Sequence, residues 1–280
     1  MSPLALFAAL FTIGVWASLA LLTDRVSHLP PLLSAGLALF IGGLTGAWQR
    51  RAWKAPPITY VVGVGGLFGY HALLFAAFVM APAVEANLLQ YLWPLLIVLL
   101  TPIFLPGKNL KVNHVIGALL GCAGTASILS SSGLALSSQH LTGYLCAIAA
   151  AFVWASYTLS CRRLPPFPTA AIAVSCLFAG ILAVLLHILV KGTATLFALS
   201  GNDLLLITLL GLGPMGVSFL TWDVAIKHGD PRAVGSLAYL TPLISTVLLI
   251  VANGHALTSQ TIIAAIAIMC GALLGSLQRR

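Results

Sequence analysis

The sequence predicts an all-helical polytopic membrane protein whose ten transmembrane helices form two inverted five-helix repeats. Three observations lead to this fold class. Of the 280 residues, 60% are hydrophobic and only 6% are charged, whereas about a quarter of the residues in soluble domains are charged. The apolar residues fall into ten long stretches, and several short motifs occur once in each half of the chain. A chain of this composition needs lipid as its main solvent.

The ten apolar stretches each approach the length of about 20 residues that a membrane-spanning helix needs. Short loops rich in Pro, Gly, Asn and basic residues separate them. The stretches cover residues 3–22, 29–47, 58–80, 83–105, 112–132, 141–160, 168–190, 203–226, 231–252 and 259–278. The first stretch lacks the basic start of a signal peptide, so we expect it to be retained as a helix.

The distribution of Lys and Arg predicts the orientation, because cytoplasmic loops are enriched in both. If both termini are cytoplasmic, eleven of the thirteen basic residues lie in cytoplasmic loops or the C-terminal tail. They are Arg50, Arg51, Lys54, Lys108, Lys111, Arg162, Arg163, Lys227, Arg232, Arg279 and Arg280. Arg25 and Lys191 lie in outer loops. We therefore expect a bacterial inner-membrane protein whose charge of +8 reflects topology and not nucleic-acid binding.

Short motifs recur in the same order in the two halves of the chain. The sequence VWAS at 15–18 returns at 153–156, GVG at 63–65 matches GLG at 211–213, and YLWPLL at 91–96 matches YLTPLI at 239–244. This indicates a duplication into residues 1–136 and 137–280. Because five helices is an odd number, the second copy must be inverted in the membrane. In transporters with inverted repeats, the substrate site lies near the midplane between the copies.

The fourth predicted helix carries a polar face. Asn87, Gln90, Tyr91 and Pro94 recur at helical spacing, and Trp93 lies beside them. A polar face avoids lipid, so we expect these residues to line a central cavity and bind substrate. The alternative is that Asn87 and Gln90 only make hydrogen bonds between helices.

Prolines late in the fourth and ninth helices occupy matching positions in the two halves. Pro94 and Pro242 each remove a backbone donor and interrupt or kink a helix. We interpret them as paired hinges for alternating access. A kink that only helps helix packing is the alternative.

Aromatic residues lie well inside several predicted helices. Trp16 and Trp154 occupy equivalent positions in the two repeats, and Tyr157 follows Trp154 by three residues. Such rings supply stacking walls for a flat apolar substrate and attract an ammonium group. The candidate walls are Trp16, Tyr91, Trp93, Trp154, Tyr157 and Tyr239. The alternative is that these rings fill space between helices.

His71 is a further candidate, deep in the third helix after the glycine-rich segment 63–69. An intramembrane histidine either binds a substrate carboxylate, changes protonation, or makes an interhelical hydrogen bond. The glycines favour close helix contact. The segment GLGPMG at 211–216 suggests a broken eighth helix whose exposed amides hold an anionic group.

Few acidic residues lie within the predicted helices. Glu85 lies near the outer end of the fourth helix, which suggests a gate or a solvated cap. Asp223 precedes Lys227 by four residues, the spacing of a helical ion pair. The sequence contains no Walker motif, metal triad or nucleophile–base pair, so we expect no metal, no cofactor and no enzymatic activity.

The chain resembles the drug/metabolite transporter superfamily of EamA-like ten-span transporters. The features that carry the resemblance are ten short helices, inverted halves, a tryptophan in each first helix and a proline late in each fourth helix. The resemblance covers the whole chain and is closest to its aromatic amino-acid exporter branch. It implies a secondary transporter that exports aromatic and other neutral amino acids by alternating access. We expect the partners of the chain to be this substrate and the lipid bilayer, with the chain itself as a monomer. A drug or metabolite efflux protein of the same fold, a membrane-embedded enzyme and a lipid-binding scaffold remain alternatives.

Overall fold

The computed structural model describes residues 1–129, 137–253 and 259–276. Within these residues all regular secondary structure is helical and there is no strand, which confirms the predicted all-α class. The helices are α1 (Pro3–Ala17), α2 (Leu19–Arg25), α3 (Pro31–Ala47), α4 (Pro57–Met80), α5 (Ala83–Gln90), α6 (Trp93–Phe104), α7 (Val112–Leu129), α8 (Leu141–Arg163), α9 (Ala170–Lys191), α10 (Ala194–Phe197), α11 (Gly201–Leu212), α12 (Ser218–His228), α13 (Pro231–Ala238), α14 (Leu240–Asn253) and α15 (Ser259–Ser276).

Among the described residues, six helical segments are long and apolar enough to cross a membrane. They are Pro3–Thr23, Pro57–Met80, Glu85–Phe104, Ser138–Arg163, Ala170–Lys191 and Gly201–His228. Pro31–Ala47 and Ile262–Gly275 are shorter apolar helices. Leu and Phe side chains on the outer surface of the bundle are exposed, which suits a protein surrounded by acyl chains. The fold is therefore that of a multi-pass membrane protein.

Several predicted helices are interrupted. The first breaks at Ser18, the fourth at Tyr91 and Leu92, and the ninth at Tyr239. The eighth contains a π-helical turn, Gly213–Val217, between α11 and α12. The predicted ends of the fifth and tenth helices, at residues 130–132 and 277–278, lie outside the described residues, as does residue 136 at the predicted boundary between the halves.

Glycines allow close approaches between several helices. A Cβ added at Gly43 in α3 would lie 2.5 Å from the backbone nitrogen of Leu177 in α9. In the same way, a Cβ at Gly117 in α7 would lie 2.5 Å from the backbone nitrogen of Gly275 in α15. Small residues are the usual means of bringing transmembrane helices together. The pairs α3–α9 and α7–α15 are accordingly among the most tightly packed in the bundle.

A buried ion pair fixes the start of α13. Asp230 caps this helix and accepts hydrogen bonds from the backbone nitrogen of Arg232 at 3.0 Å and from its Nε at 2.9 Å. Burial opposes ionisation of this carboxyl, but the hydrogen bonds and charge of Arg232 outweigh it. The pKa of Asp230 therefore lies below its usual range.

Candidate functional site

Four tryptophans from four different helices meet at the centre of the bundle. Trp16 of α1 lies against Trp93 of α6, Trp154 of α8 and Trp222 of α12, with ring centroids 5.9, 5.8 and 5.0 Å away. Trp93, Trp154 and Trp222 are each less than one-tenth exposed. Pairs at these distances are in direct aromatic contact. The helices that supply these rings lie far apart in sequence, so the centre forms only when the bundle is assembled.

Other rings extend this centre around Trp154. Tyr70 of α4, Tyr157 of α8 and Phe219 of α12 lie 5.1, 5.6 and 5.5 Å from its ring. We call the seven residues the aromatic cluster. Its members are Trp16, Tyr70, Trp93, Trp154, Tyr157, Phe219 and Trp222.

Local features of the neighbouring helices position these rings. A Cβ at Gly66 of α4 would lie 2.5 Å from Cγ of Tyr157, so the glycine leaves the space in which the tyrosine ring packs. The indole N–H of Trp222 donates to Oγ1 of Thr158 at 3.3 Å. The indole N–H of Trp16 donates to the backbone oxygen of Pro214 at 3.1 Å. Both hydrogen bonds fix the rotation of a ring that would otherwise be held by packing alone.

The sequence predicted a broken eighth helix, but in the structure the helix continues from Gly201 to His228 through a π-helical turn at Gly213–Val217. The sequence suggested that exposed amides at 211–216 hold an anionic group. In the structure Pro214, Met215 and Gly216 are buried. The backbone group that faces the aromatic cluster is a carbonyl, the oxygen of Pro214, and Trp16 occupies it. A carbonyl attracts donors and cations, so this turn does not present an anion site to the cluster.

His71 lies at the edge of the aromatic cluster and is 3% exposed. Its ring is 4.8 Å from Tyr70 and 6.4 Å from Phe219. Nδ1 lies 2.7 Å from the backbone oxygen of Leu67, one turn earlier in α4. Because a carbonyl only accepts, Nδ1 carries the proton and donates to it. This bond orients the imidazole and leaves Nε2 for another partner.

The polar face of the fourth predicted helix lies around the break between α5 and α6. Gln90 ends α5 and is buried, and its Oε1 has no hydrogen-bond partner among the described residues. Asn87 and Tyr91 are half-buried, and Tyr91 is the first residue of the break. Trp93 begins α6 and reaches the aromatic cluster. The break therefore places an unpaired amide oxygen a few residues from the central rings.

Both predicted hinge prolines lie just after a helix break. Pro94 is the second residue of α6, and Pro242 is the third residue of α14. Proline is tolerated in a first turn, where its missing N–H has no intrahelical role. It cannot donate to the carbonyl four residues earlier, which belongs to Gln90 in one case and Ala238 in the other. The interruptions thus come before the prolines, where the chain has lost a helical hydrogen bond.

Tyr239 does not join the aromatic cluster, although the sequence grouped it with the stacking walls. It is fully buried in a separate core between α6, α7 and α15, with Val98, Ala118 and Ile268. Its ring lies on Gly121 of α7, where a side chain would clash with it. The aromatic ring is therefore used for helix packing here.

Glu85 is not the solvated cap that its position near a helix end suggested. It is 6% exposed, and its carboxylate accepts a hydrogen bond from the hydroxyl of Tyr144 in α8. Next to this contact, Nδ1 of His140 lies 3.1 Å from the backbone oxygen of Met80. These bonds tie the α4–α5 connection to the start of α8, away from the aromatic cluster.

The sequence did not single out several residues of the site. Tyr70, Phe219 and Trp222 belong to the aromatic cluster. Asp223 forms the predicted ion pair with Lys227, 2.6 Å apart, and also lines a cavity beside the cluster. The sequence pattern that could have identified the residues of α12 is the spacing of Phe219, Trp222 and Asp223, which places them along one side of that helix.

A small cavity adjoins the cluster between α8 and α12. Its lining residues are Trp154, Tyr157, Thr158, Cys161, Phe219, Trp222, Asp223 and Ile226. It has room for about one water molecule, far less than an amino acid requires. The aromatic cluster is therefore packed shut in this structure, and a substrate must separate its rings in order to enter.

A multi-pass membrane carrier typically has apolar helices that are broken near the centre of the bundle, and this chain has such a break between Gln90 and Trp93, beside the central ring cluster. The model of the EamA-like transporter family matches residues 3–130 and 141–277. The chain belongs to the EamA-like transporter family, which confirms the resemblance seen in the sequence. It is a transporter and not an enzyme.

Similar proteins include transporters of amino acids. The chain is 40% identical to the aromatic amino acid exporter YddG of Ancylobacter novellus, over 95% of this chain and 94% of the relative. It is 28% identical to a probable terminal-alkyne amino-acid exporter of Streptantibioticus cattleyicolor, over 90% and 86% of the two chains. A crystal structure with 38% sequence identity superimposes with a TM-score of 0.90 and covers 97% of this chain and 96% of the other.

Proposed function

We propose that the protein exports aromatic and other neutral amino acids across a bacterial inner membrane by alternating access. The observation that carries this proposal is the convergence of Trp16, Trp93, Trp154 and Trp222 from four helices. Indole faces bind flat apolar groups and attract an ammonium group, and an aromatic amino acid has both. The similarity to two amino-acid exporters supports this substrate class. All four rings come from one chain, so the candidate site is complete without a second copy.

Two inverted repeats, residues 1–136 and 137–280, explain the packing around the centre. The equivalent residues Trp16 and Trp154 touch each other, with centroids 5.8 Å apart. Two residues related by a two-fold axis and in contact must both lie close to that axis. In the two repeats α4 corresponds to α12, and α8 corresponds to α1. The contact between α4 and α8 therefore has a counterpart between α12 and α1, and both pairs are closely packed. The two separate matches to the family model support the same division into ten spans.

Contacts between loops support the topology in which both termini are cytoplasmic. The hydroxyl of Ser2 donates to the backbone oxygen of His228 at 3.2 Å, and Nη1 of Arg162 donates to that of Ile226 at 2.7 Å. These bonds bring together the N-terminus and the ends of α8 and α12. The sequence assigns all three to the cytoplasmic side, and the ends of α8 and α12 carry basic residues there.

Contacts at the opposite end of the bundle agree with this assignment. Nε2 of His28 lies 3.0 Å from Oδ1 of Asp203, which joins the loop after α2 to the start of α11. The bond from Tyr144 to Glu85 joins the start of α5 to the start of α8. Each of these segments is an outer segment in the predicted topology. We propose that the Glu85–Tyr144 contact closes the outer side when the carrier faces the cytoplasm.

The helix breaks supply the moving parts of the proposed cycle. The break before Pro94 lies between Gln90 and Trp93, so a change of angle there moves Trp93 within the cluster. The break before Pro242 is its counterpart in the second repeat. Substrate entry requires such movement because a ring inserted between two others needs about 3.5–4 Å on each face. The present separations near 6 Å leave no such space.

Flux measurements on purified protein test the proposal. Liposomes loaded with labelled phenylalanine, tryptophan or threonine should release label faster when their membrane contains the protein than when it contains no protein. Labelled drug-like cations tested in parallel separate amino-acid export from drug efflux by the same fold. Protein-dependent release of the cations without release of any amino acid would overturn the substrate class while leaving the transporter family intact.

A further inference from the structure

Asp223 is the charged residue of α12 that borders the central rings. It follows Trp222 of the aromatic cluster, and its side chain is 3% exposed. It lines the cavity between α8 and α12 together with Trp154, Tyr157 and Trp222. A carboxylate at this position is costly unless donors surround both of its oxygens.

The two oxygens of this carboxylate are not equivalent. Oδ2 accepts a hydrogen bond from Oγ1 of Thr169 at 2.7 Å and pairs with Nζ of Lys227 at 2.6 Å. Oδ1 is buried and has no hydrogen-bond partner among the described residues. One half of the carboxylate is therefore satisfied by the protein, and the other half has an unused acceptor beside the cavity.

Further contacts hold the ammonium group of Lys227 next to Oδ2 of Asp223. Nζ of Lys227 also donates to the backbone oxygen of Phe167 at 3.1 Å and lies 3.5 Å from the centroid of that ring. These contacts anchor the ammonium on the loop between α8 and α9. A second cation can approach Oδ1 from the cavity without displacing Lys227.

We propose that Oδ1 of Asp223 binds the ammonium group of the exported amino acid while the tryptophan rings of the aromatic cluster hold its side chain. This inference rests on the proposed function and adds the residue that recognises the amino group. The Asp223–Lys227 pair is neutral overall, so it matches a zwitterion, which is also neutral. A carboxylic acid without an amino group leaves Oδ1 unpaired and meets a negative oxygen, so the site rejects it.

Three ligands that share an indole ring test the assignment on the wild-type protein in detergent. L-tryptophan and tryptamine carry the ammonium group, and indole-3-propionate lacks it. The proposal predicts that both amines bind about ten- to a hundredfold more tightly than the acid, as expected for a hydrogen bond to a charged group. Equal affinity for L-tryptophan and indole-3-propionate would overturn the proposal whatever any variant shows.

The isosteric variant Asp223→Asn locates this preference. It should weaken binding of both amines about ten- to a hundredfold and leave indole-3-propionate unchanged or improved. Thr169→Val is the matched control, because it removes a donor from Oδ2 and leaves Oδ1 intact. It should keep the preference for amines.

The remaining outcomes separate this inference from the proposed function. If Asp223→Asn weakens all three ligands equally, the carboxylate acts only on the structure and the inference is wrong. If the variant keeps the amine preference but loses its response to a pH gradient in liposomes, the carboxylate carries a proton, and the inference is again wrong. In both cases tryptophan flux by the wild type still supports the exporter. Absence of that flux would instead refute the proposed function.

Discussion

Replacing Trp154 with alanine removes a ring that contacts five other aromatic rings at the centre of the bundle. Trp154 is 4% exposed, and its partners are Trp16, Tyr70, Trp93, Tyr157 and Phe219. Loss of a buried tryptophan costs about 3–5 kcal/mol of folding free energy, so the melting temperature falls. Loss of one aromatic contact to the substrate costs about 0.5–1.5 kcal/mol, which corresponds to about two- to twelvefold weaker binding.

The assay is tryptophan counterflow in proteoliposomes, measured well below the melting temperature of each variant. We expect Trp154→Ala to raise the KM for tryptophan by the factor given above, and Trp154→Phe, which keeps a ring, to fall between it and the wild type. Phe152→Ala is the matched control, since this ring lies on α8 and is 50% exposed on the outside. The reasoning is refuted if Trp154→Ala is less stable but keeps the KM of the wild type, because the ring then only fills space.

Three further variants test the packing, the outer contact and the cap of α13. Gly66→Ala places a methyl group 2.5 Å from a tyrosine ring carbon of α8 and should cost about 1–3 kcal/mol of stability, whereas Gly65→Ala, with no atom within 4 Å, should leave the melting temperature nearly unchanged. Tyr144→Phe removes the hydrogen bond to Glu85. A thiol reagent added outside should then label a cysteine introduced near this contact faster than in the protein with Tyr144. An unchanged labelling rate would show that the Glu85–Tyr144 contact does not close the outer side. Asp230→Asn removes the charge that pairs with Arg232 and should cost about 1.5–3 kcal/mol at pH 7. Because the folded pKa of Asp230 is lowered, this stabilisation is present above the unfolded pKa of about 4 and is lost as the pH falls towards the lower folded value. The stability difference should therefore shrink in acid, and a constant difference would show that ionisation is not involved.

The repeat pattern was the best guide to the centre. Trp16 and Trp154 were found because the same four letters surround both, and the structure places their rings 5.8 Å apart. The same reasoning failed for Tyr239, the copy of Tyr91. Tyr239 lies between α13 and α14, and its ring packs on Gly121 of α7. A matching position in the motif does not determine the direction of the side chain. That direction depends on the helices packed around it.

The missed residues show what a single sequence does not reveal. Trp222 lies near the basic end of α12, where a tryptophan is ordinarily an interfacial anchor. Its inward direction depends on the packing of α12 against α1 and α8, which is determined by long-range contacts. The ion pair of Asp223 with Lys227 was predicted from helical spacing, because both partners lie on one helix. That one oxygen of Asp223 remains without a partner follows only from the folded bundle.

If substrate binds among the tryptophans of the aromatic cluster, a structure of the protein with bound L-tryptophan will show it there. The quantity to measure is the distance between the ring centroids of Trp16 and Trp154, which is 5.8 Å in the closed centre. We predict a ligand indole between these rings and a separation of about 7 Å or more, since each face needs about 3.5 Å. Tryptophan bound elsewhere, with this distance unchanged, would contradict the account.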